Sequence, residues 1–141
     1  MSSSPPALGP GLRPPAPCPC GSGAPYDGCC GPLHRRERRA GTAEELMRSR
    51  YAAYVVGEPD HLFRTWHPRT RPADVVTAPG LVWQALEVLA TESGGVGDEQ
   101  GVVEFRATYS VGGRSGVLHE VSRFERRGGR WVYVDGDLRE S

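Results

Sequence analysis

An α+β domain preceded by a small cysteine knuckle is the architecture that three features of this sequence predict. All four cysteines, Cys18, Cys20, Cys29 and Cys30, fall in one short stretch rich in Gly and Pro. Two segments with apolar residues at helical spacing follow between Thr42 and His67. From Val102 onward the pattern changes to strict alternation, broken twice by Gly-Gly pairs, as in an antiparallel meander. Helices followed by a run of antiparallel strands place the helices on one face of a sheet.

The knuckle, residues 17–33, holds two thiols one residue apart, then eight residues, then two adjacent thiols. The loop between can fold back and bring both pairs together. Four converging thiolates suit one tetrahedral structural zinc ion, with Zn–S distances of about 2.3 Å. So short a segment has no apolar core, so the metal must supply its folding energy. Gly21 and Gly23 are expected at positive φ, with their N–H groups turned toward the sulfurs. The Ser22 hydroxyl is expected to do the same, and Tyr26 to pack over the knuckle. His34 is a spare ligand able to replace Cys30. A disulfide staple would need an oxidising compartment, and no signal peptide is visible. A redox pair is disfavoured because adjacent Cys29 and Cys30 would close a strained ring, and there is no C-x-x-C.

Cys18-Pro19-Cys20-Gly21-Ser22-Gly23, then Tyr26, then Cys29-Cys30-Gly31, resembles the SEC-C motif. That motif is the zinc-binding tail of the preprotein translocase ATPase SecA, and many otherwise unrelated bacterial proteins carry it. In the family the last ligand is Cys or His, which Cys30 fits. The resemblance implies a protein partner for the knuckle. This chain has Ala24 and Pro25 where the SecA tail has two lysines, which tells against the acidic SecB chaperone as that partner.

The length of 141 residues suffices for one modest domain and a small appendage. The 17 basic and 17 acidic residues balance, so no bulk charge draws the chain to nucleic acid or membrane. All the basic residues are arginine, which excludes Schiff-base lysine chemistry and a Walker A loop. No apolar run approaches the ~20 residues of a membrane span. The expectation is a soluble, cytoplasmic protein whose thiols stay reduced and available to zinc.

Residues 1–16 are rich in Ser, Pro and Gly and read as a disordered tail. Residues 34–41 read as a basic linker, His34-Arg35-Arg36-Glu37-Arg38-Arg39 at its centre. Few contacts should cross such a linker, so the knuckle and the domain at 42–138 are expected to be separately stable. Thr42-Ala43-Glu44-Glu45 is a capping box that opens the first long helix, and Gly57 is a natural stop. Arg50 interrupts the apolar face of that helix. Either it snorkels to the rim, or it points into a cavity and needs an anionic partner, such as Glu104, Glu120, Asp135 or a ligand. Pro59 starts a short helix with Leu62, Phe63 and Trp66 inward, ended by His67-Pro68. The connection at 69–79 has room for one helical turn at Ala73 to Val76. Leu81 to Glu92 fits helix and strand alike, with strand preferred. Val102–Val111, Gly116–Arg126 and Arg130–Asp135 are the meander, joined by Gly112-Gly113 and Gly128-Gly129.

Helices across a strongly twisted antiparallel sheet enclose a conical pocket, an arrangement that resembles the nuclear-transport-factor-2-like (NTF2-like) fold. Leu46-Met47-Arg48-Ser49-Arg50-Tyr51, Thr65-Trp66-His67-Pro68, Arg71-Pro72, Leu118-His119-Glu120, Ser122-Arg123-Phe124 and the run Gly129 to Gly136 are similar to the bacterial YchJ-like family. Its members join an N-terminal SEC-C motif to one such domain. The resemblance supplies architecture rather than chemistry.

The candidate pocket residues are Arg50, Trp66, His67, Tyr109, His119 and Arg123, with Arg50, His119 and Arg123 as a positive wall for an anionic or polar small ligand. The leading reading is a zinc-binding protein that recruits a protein partner or a small ligand. One alternative is a small hydrolase, isomerase or dehydratase, with a His and a carboxylate as general base. Against it, no nucleophile–base–orienter set is visible. A nucleic-acid or ribosome contact through the arginine run is the other alternative, and no aromatic residues interleave there.

Overall fold

The computed structural model describes residues 16–75 and 80–140. The tail expectation therefore lies outside the described residues for 1–15, as does Val76 of the suggested helical turn; Ala73 and Asp74 form a bend. A 3-10 turn at Tyr26–Gly28 leads into α1 (Cys30–His34), followed by α2 (Ala43–Val56) and α3 (Pro59–Arg64). Four strands complete the chain: β1 (Leu81–Ser93), β2 (Gln100–Val111), β3 (Arg114–Arg127) and β4 (Arg130–Arg139). They pair antiparallel in the order β1-β2-β3-β4. The ambiguous segment at Leu81 is thus a strand.

The turn chemistry sets the register. Gly112 and Gly113 both have positive φ, 58° and 80°, so a two-residue turn closes between Val111 and Arg114. Gly128 and Gly129 do the same between Arg127 and Arg130. Irregularities at Trp83/Ala85 and Val88/Ala90 in β1, and at Val134 of β4 opposite Arg123/Phe124, bend the sheet, as bulges do. The concave face presents Val103, Phe105, Ala107, Phe124 and Trp131 to Ala43, Leu46, Met47 and Tyr51 of α2.

α2 begins as its sequence requires. Thr42 Oγ1 accepts from Glu45 N–H at 3.0 Å. The Glu45 carboxylate reaches back one residue further than a capping box needs, to Gly41 N–H at 2.7 Å. Gly57 ends the helix in the left-handed region, φ 84°. In α3, Pro59 sits at the N-terminus. Leu62 is buried as expected, but Phe63 is 37% exposed, its ring under the Arg71 guanidinium at 3.9 Å. His61 takes the inward place at 3% exposure, since Ser49 offers it a partner. The end of α3 is tied to β4: Tyr133 N–H donates to Thr65 O and His67 N–H to Tyr133 O, both at 2.8 Å.

The knuckle is docked rather than tethered, which corrects the expectation that few contacts cross the linker. Cys18, Cys20 and Cys30 form one apolar cluster with Ala52 of α2. Arg48 Nη1 donates to Cys20 O at 2.7 Å, and Arg64 Nη2 donates to Leu33 O and His34 O. α2 is therefore covered on two faces, by the sheet and by the knuckle with α3. Small residues, Ser49, Ala52 and Ala53, make the second approach close enough.

One further close approach fixes the start of α2. A Cβ placed on Gly101 would lie 2.5 Å from Gly94 Cα and 3.0 Å from Ala43 Cβ. Backbone cannot swing aside as a long side chain can, so Gly101→Ala is expected to cost about 2–3 kcal/mol, as overpacking does. Denaturant unfolding reads this directly; an unchanged midpoint would mean the loop relaxes freely.

Candidate functional site

Four sulfurs converge at the knuckle. The Sγ atoms of Cys18, Cys20, Cys29 and Cys30 all lie within 4.8 Å of one another, a set that can hold a metal ion. Cys18, Cys20 and Cys30 are buried and Cys29 is partly exposed. Gly21 and Gly23 have φ of 82° and 89°, where glycine is favoured, and they let the loop double back. The Gly21 N–H donates to Cys18 O rather than to a sulfur. Ser22 Oγ does lie against Cys29 Sγ, at 3.1 Å. Antiparallel bonds close the hairpin, Cys18 N–H to Ala24 O and Tyr26 N–H to Ala16 O, both 2.9 Å. The cysteines are unpaired by disulfides. Cys20 is held well below the ordinary thiol range, chiefly by its hydrogen bond with Cys30, and Cys30 is pushed up by that same bond and by burial. Thiolates this close repel one another, which disfavours ionising several of them together.

His34 is not part of this set. Its Nε2 lies 2.8 Å from the Ser49 carbonyl, which can only accept, so Nδ1 accepts the Tyr26 hydroxyl at 2.6 Å. The Ser49 hydroxyl donates to Leu46 O at 2.7 Å and so accepts from His61 Nε2 at 2.9 Å. The two rings stand 4.7 Å apart. Half-buried Tyr26 and buried His34, Ser49 and His61 thereby form a chain from the knuckle through α2 to α3. Burial lowers the pKa of both histidines, that of His61 to about 2.

A second site lies between α2 and the concave sheet face, a cavity of about 390 Å3. Arg50 points into it and is 6% exposed. Its Nη1 donates to Leu62 O at 2.9 Å and Thr65 Oγ1 at 2.7 Å. The guanidinium carbon lies 4.9 Å from the Trp66 ring centre and 4.8 Å from that of Tyr133. Burial lowers its pKa to about 10, so the group stays charged at neutral pH. The Trp66 indole N–H is buried with no partner among the described residues. Glu120 enters the cavity from β3, and its Oε2 accepts from Ser122 Oγ at 2.6 Å and Tyr133 O–H at 3.0 Å.

Of the six pocket candidates, the structure brings only Arg50 and Trp66 to the cavity wall. Tyr109 stands behind it, packed edge-on against Trp83 at 5.6 Å. His67 is buried at the end of α3, its Nδ1 accepting from Arg69 N–H. His119 and Arg123 lie on the opposite face of the sheet, so the positive wall they were to form with Arg50 does not exist. His119 Nε2 is 2.7 Å from Glu104, and Arg123 is an exposed side chain bound to Asp135 and Asp137. Register explains the correction: Phe105 of the core faces Glu120, whereas His119 faces Arg106. Arg50 likewise meets a carbonyl, a hydroxyl and two aromatic faces, not a carboxylate of the described residues. Ser122, Tyr133 and Trp83 are polar or aromatic wall residues absent from the six candidates, and Glu120, expected only as a carboxylate partner for Arg50, lines the cavity itself.

The arginine run is largely committed to ion pairs. Arg35 binds Asp27 and Glu37, Arg36 binds Asp60, and Arg38 binds Glu45. Among the described helices, none is long and apolar enough to cross a membrane.

Comparison with known proteins agrees with this layout. The family profile described as "YchJ, middle NTF2-like domain" matches residues 42–136. A UPF0225 protein of Streptomyces coelicolor is 52% identical over 125 residues, covering 89% of this chain and 98% of the relative. One from Cupriavidus metallidurans is 52% identical over 132 residues, covering 89% and 92%. The solution structure of a SEC-C motif containing protein from Rhodopseudomonas palustris superimposes with a TM-score of 0.79 at 37% identity, over 88% of this chain and 99% of that one. The crystal structure of a SEC-C motif containing protein from Psychrobacter arcticus gives 0.71 at 27% identity, over 89% and 84%.

Proposed function

Because this chain belongs to the YchJ-like, UPF0225 family, in which a SEC-C cysteine motif precedes an NTF2-like domain, we propose that it is a zinc-braced binding protein. Cys18, Cys20, Cys29 and Cys30 hold one structural zinc, and the domain cavity takes a small ligand while the knuckle offers a surface to a protein partner. The observation that carries the metal half is the sulfur spacing. A tetrahedron with Zn–S of about 2.3 Å has edges of roughly 3.8 Å. Cys20 and Cys29 stand 3.6 Å apart and Cys29 and Cys30 4.0 Å. A dication also answers the charge problem, since it lets neighbouring thiols ionise together.

The zinc would complete its coordination on four protein ligands and leave no open position, which makes it structural rather than catalytic. What the chain's own residues then do is transmit that rigidity. Arg48 grips the Cys20 carbonyl, His34 the Ser49 carbonyl, and Ala52 packs against the sulfurs. All three anchor points are on α2, the helix that carries Arg50 into the cavity. The knuckle thus braces the helix that builds the binding site.

Elemental analysis of protein purified without added metal is expected to give about one zinc per chain, falling toward zero in Cys20→Ser. Metal-free, monodisperse wild type with an intact fold would refute the zinc assignment.

A further inference from the structure

The cavity beneath α2 holds two charged side chains whose hydrogen-bonding capacity the protein uses only in part. Arg50 has five N–H donors. Its Nη1 serves Leu62 and Thr65, while Nε and Nη2 meet no acceptor among the described residues. The aromatic faces of Trp66 and Tyr133 attract the cation but accept no conventional hydrogen bond from it. Glu120 is the mirror case. Its Oε2 receives both Ser122 and Tyr133, whereas Oε1 receives no donor among the described residues. The opposing strand leaves space for this carboxylate: a Cβ on Gly136 would collide with the Glu120 side chain.

Arg50 and Glu120 do not neutralise each other directly. Tyr133 lies between them, its ring face under the guanidinium and its hydroxyl on the carboxylate. One buried donor set and one half-buried acceptor, of opposite charge and held apart by a ring, are what a ligand with both charges would satisfy. A dianion would meet Glu120, and a simple cation would meet Arg50; each mismatch is costly at low dielectric. The rest of the wall is apolar and flat-sided, with Trp83, Phe105 and Tyr51. A volume of about 390 Å3 suits a ligand of roughly a dozen heavy atoms.

Building on the reading of the domain as a ligand-binding unit, we infer that the cavity takes a small aromatic zwitterion of amino-acid type. Its carboxylate lies on Arg50, its ammonium on Glu120 and its ring against Trp83 and Phe105.

The test uses the full zinc-loaded chain and three matched probes: L-phenylalanine, 3-phenylpropionate, which lacks the ammonium, and phenethylamine, which lacks the carboxylate. Titration followed by calorimetry and by the indole NMR signals is expected to rank phenylalanine at least about tenfold tighter than either half-probe, as one lost charge-assisted hydrogen bond implies. Glu120→Gln should weaken phenylalanine by roughly tenfold to a hundredfold and leave 3-phenylpropionate no weaker. The ranking on wild type needs no variant, so it stands even if Glu120→Gln folds poorly. If either half-probe, or neutral benzyl alcohol, binds as tightly as phenylalanine, the zwitterion assignment falls and the small-ligand reading survives. If none of the four binds at about 10 mM, both fall.

Discussion

Protein stripped of metal by a strong chelator is expected to lose the whole cooperative fold, not the knuckle alone. Structural zinc supplies about 10–16 kcal/mol of apparent binding energy in isolated finger peptides. A domain's total stability is about 5–15 kcal/mol, so losing even half of such a contribution is decisive. The damage spreads because the knuckle is packed in. Without it, α2 exposes Ala52, and the Ser49 carbonyl and Arg48 lose their partners in His34 and Cys20. Thermal unfolding followed by circular dichroism should shift downward by well over 10 °C on stripping and return on adding zinc, at several degrees per kcal/mol for a chain of this size. A transition moved by less than about 2 °C would show that the domain stands without its knuckle. Deleting the residues before Arg39 should give the same loss, since the same contacts disappear.

Acid is expected to act through the buried histidine pair. His61 is neutral in the folded state, with its pKa lowered from the ordinary 6.5 to about 2, first by burial and then by its neighbours His34, Arg64 and Arg50, which would repel an added proton charge. The unfolded chain binds the proton below about pH 6.5 and the folded chain does not. The stability tied to His61 is therefore full above that pH and declines as pH falls toward 2, by up to about 1.4 kcal/mol per unit, or about 2 kcal/mol by pH 5. His34 is lowered by burial too and adds a loss of the same sign. His61→Gln keeps an N–H near the Nε2 position for the Ser49 hydroxyl but cannot take up the proton. The variant is expected to be the less stable protein at pH 7 and to gain about 2 kcal/mol on wild type by pH 5. Release of the proposed zinc in acid would be common to both proteins and cancel in the difference. Parallel stability curves would remove His61 from the account.

Local signals carried most of the architecture. The four cysteines lie within a stretch that can only fold back on itself, so their convergence is a matter of short loop closure. Thr42, Glu45 and Gly57 bound α2 through contacts three to four residues apart. The two Gly-Gly turns fix the hairpins, and alternation along β2 assigns its core face. The face of β3 was legible as well, though only by carrying the register through the turn. A two-residue loop between Val111 and Arg114 puts Phe105 opposite Glu120, and so turns Glu120 and Ser122 inward and His119 and Arg123 outward. Grouping polar residues by type rather than by register led to His119 and Arg123 instead.

What the sequence determined by itself was set by interactions that span a few residues: the cysteine pairs, the caps, the turns and the strand faces. Tertiary structure alone decided the docking of the knuckle and the surroundings of Arg50. A helix face of Ser49, Ala52 and Ala53 reads the same whether it meets water or another backbone, because small side chains carry little hydrophobic signal either way. Their meaning comes from the close approach they permit, which brings Cys20 and His34 onto α2 from 15 to 28 residues away in sequence. Arg50 is likewise ambiguous on a helical wheel. Only the fold places Leu62, Thr65, Trp66 and Tyr133 around it, and a buried guanidinium with donors to spare is a consequence of that convergence.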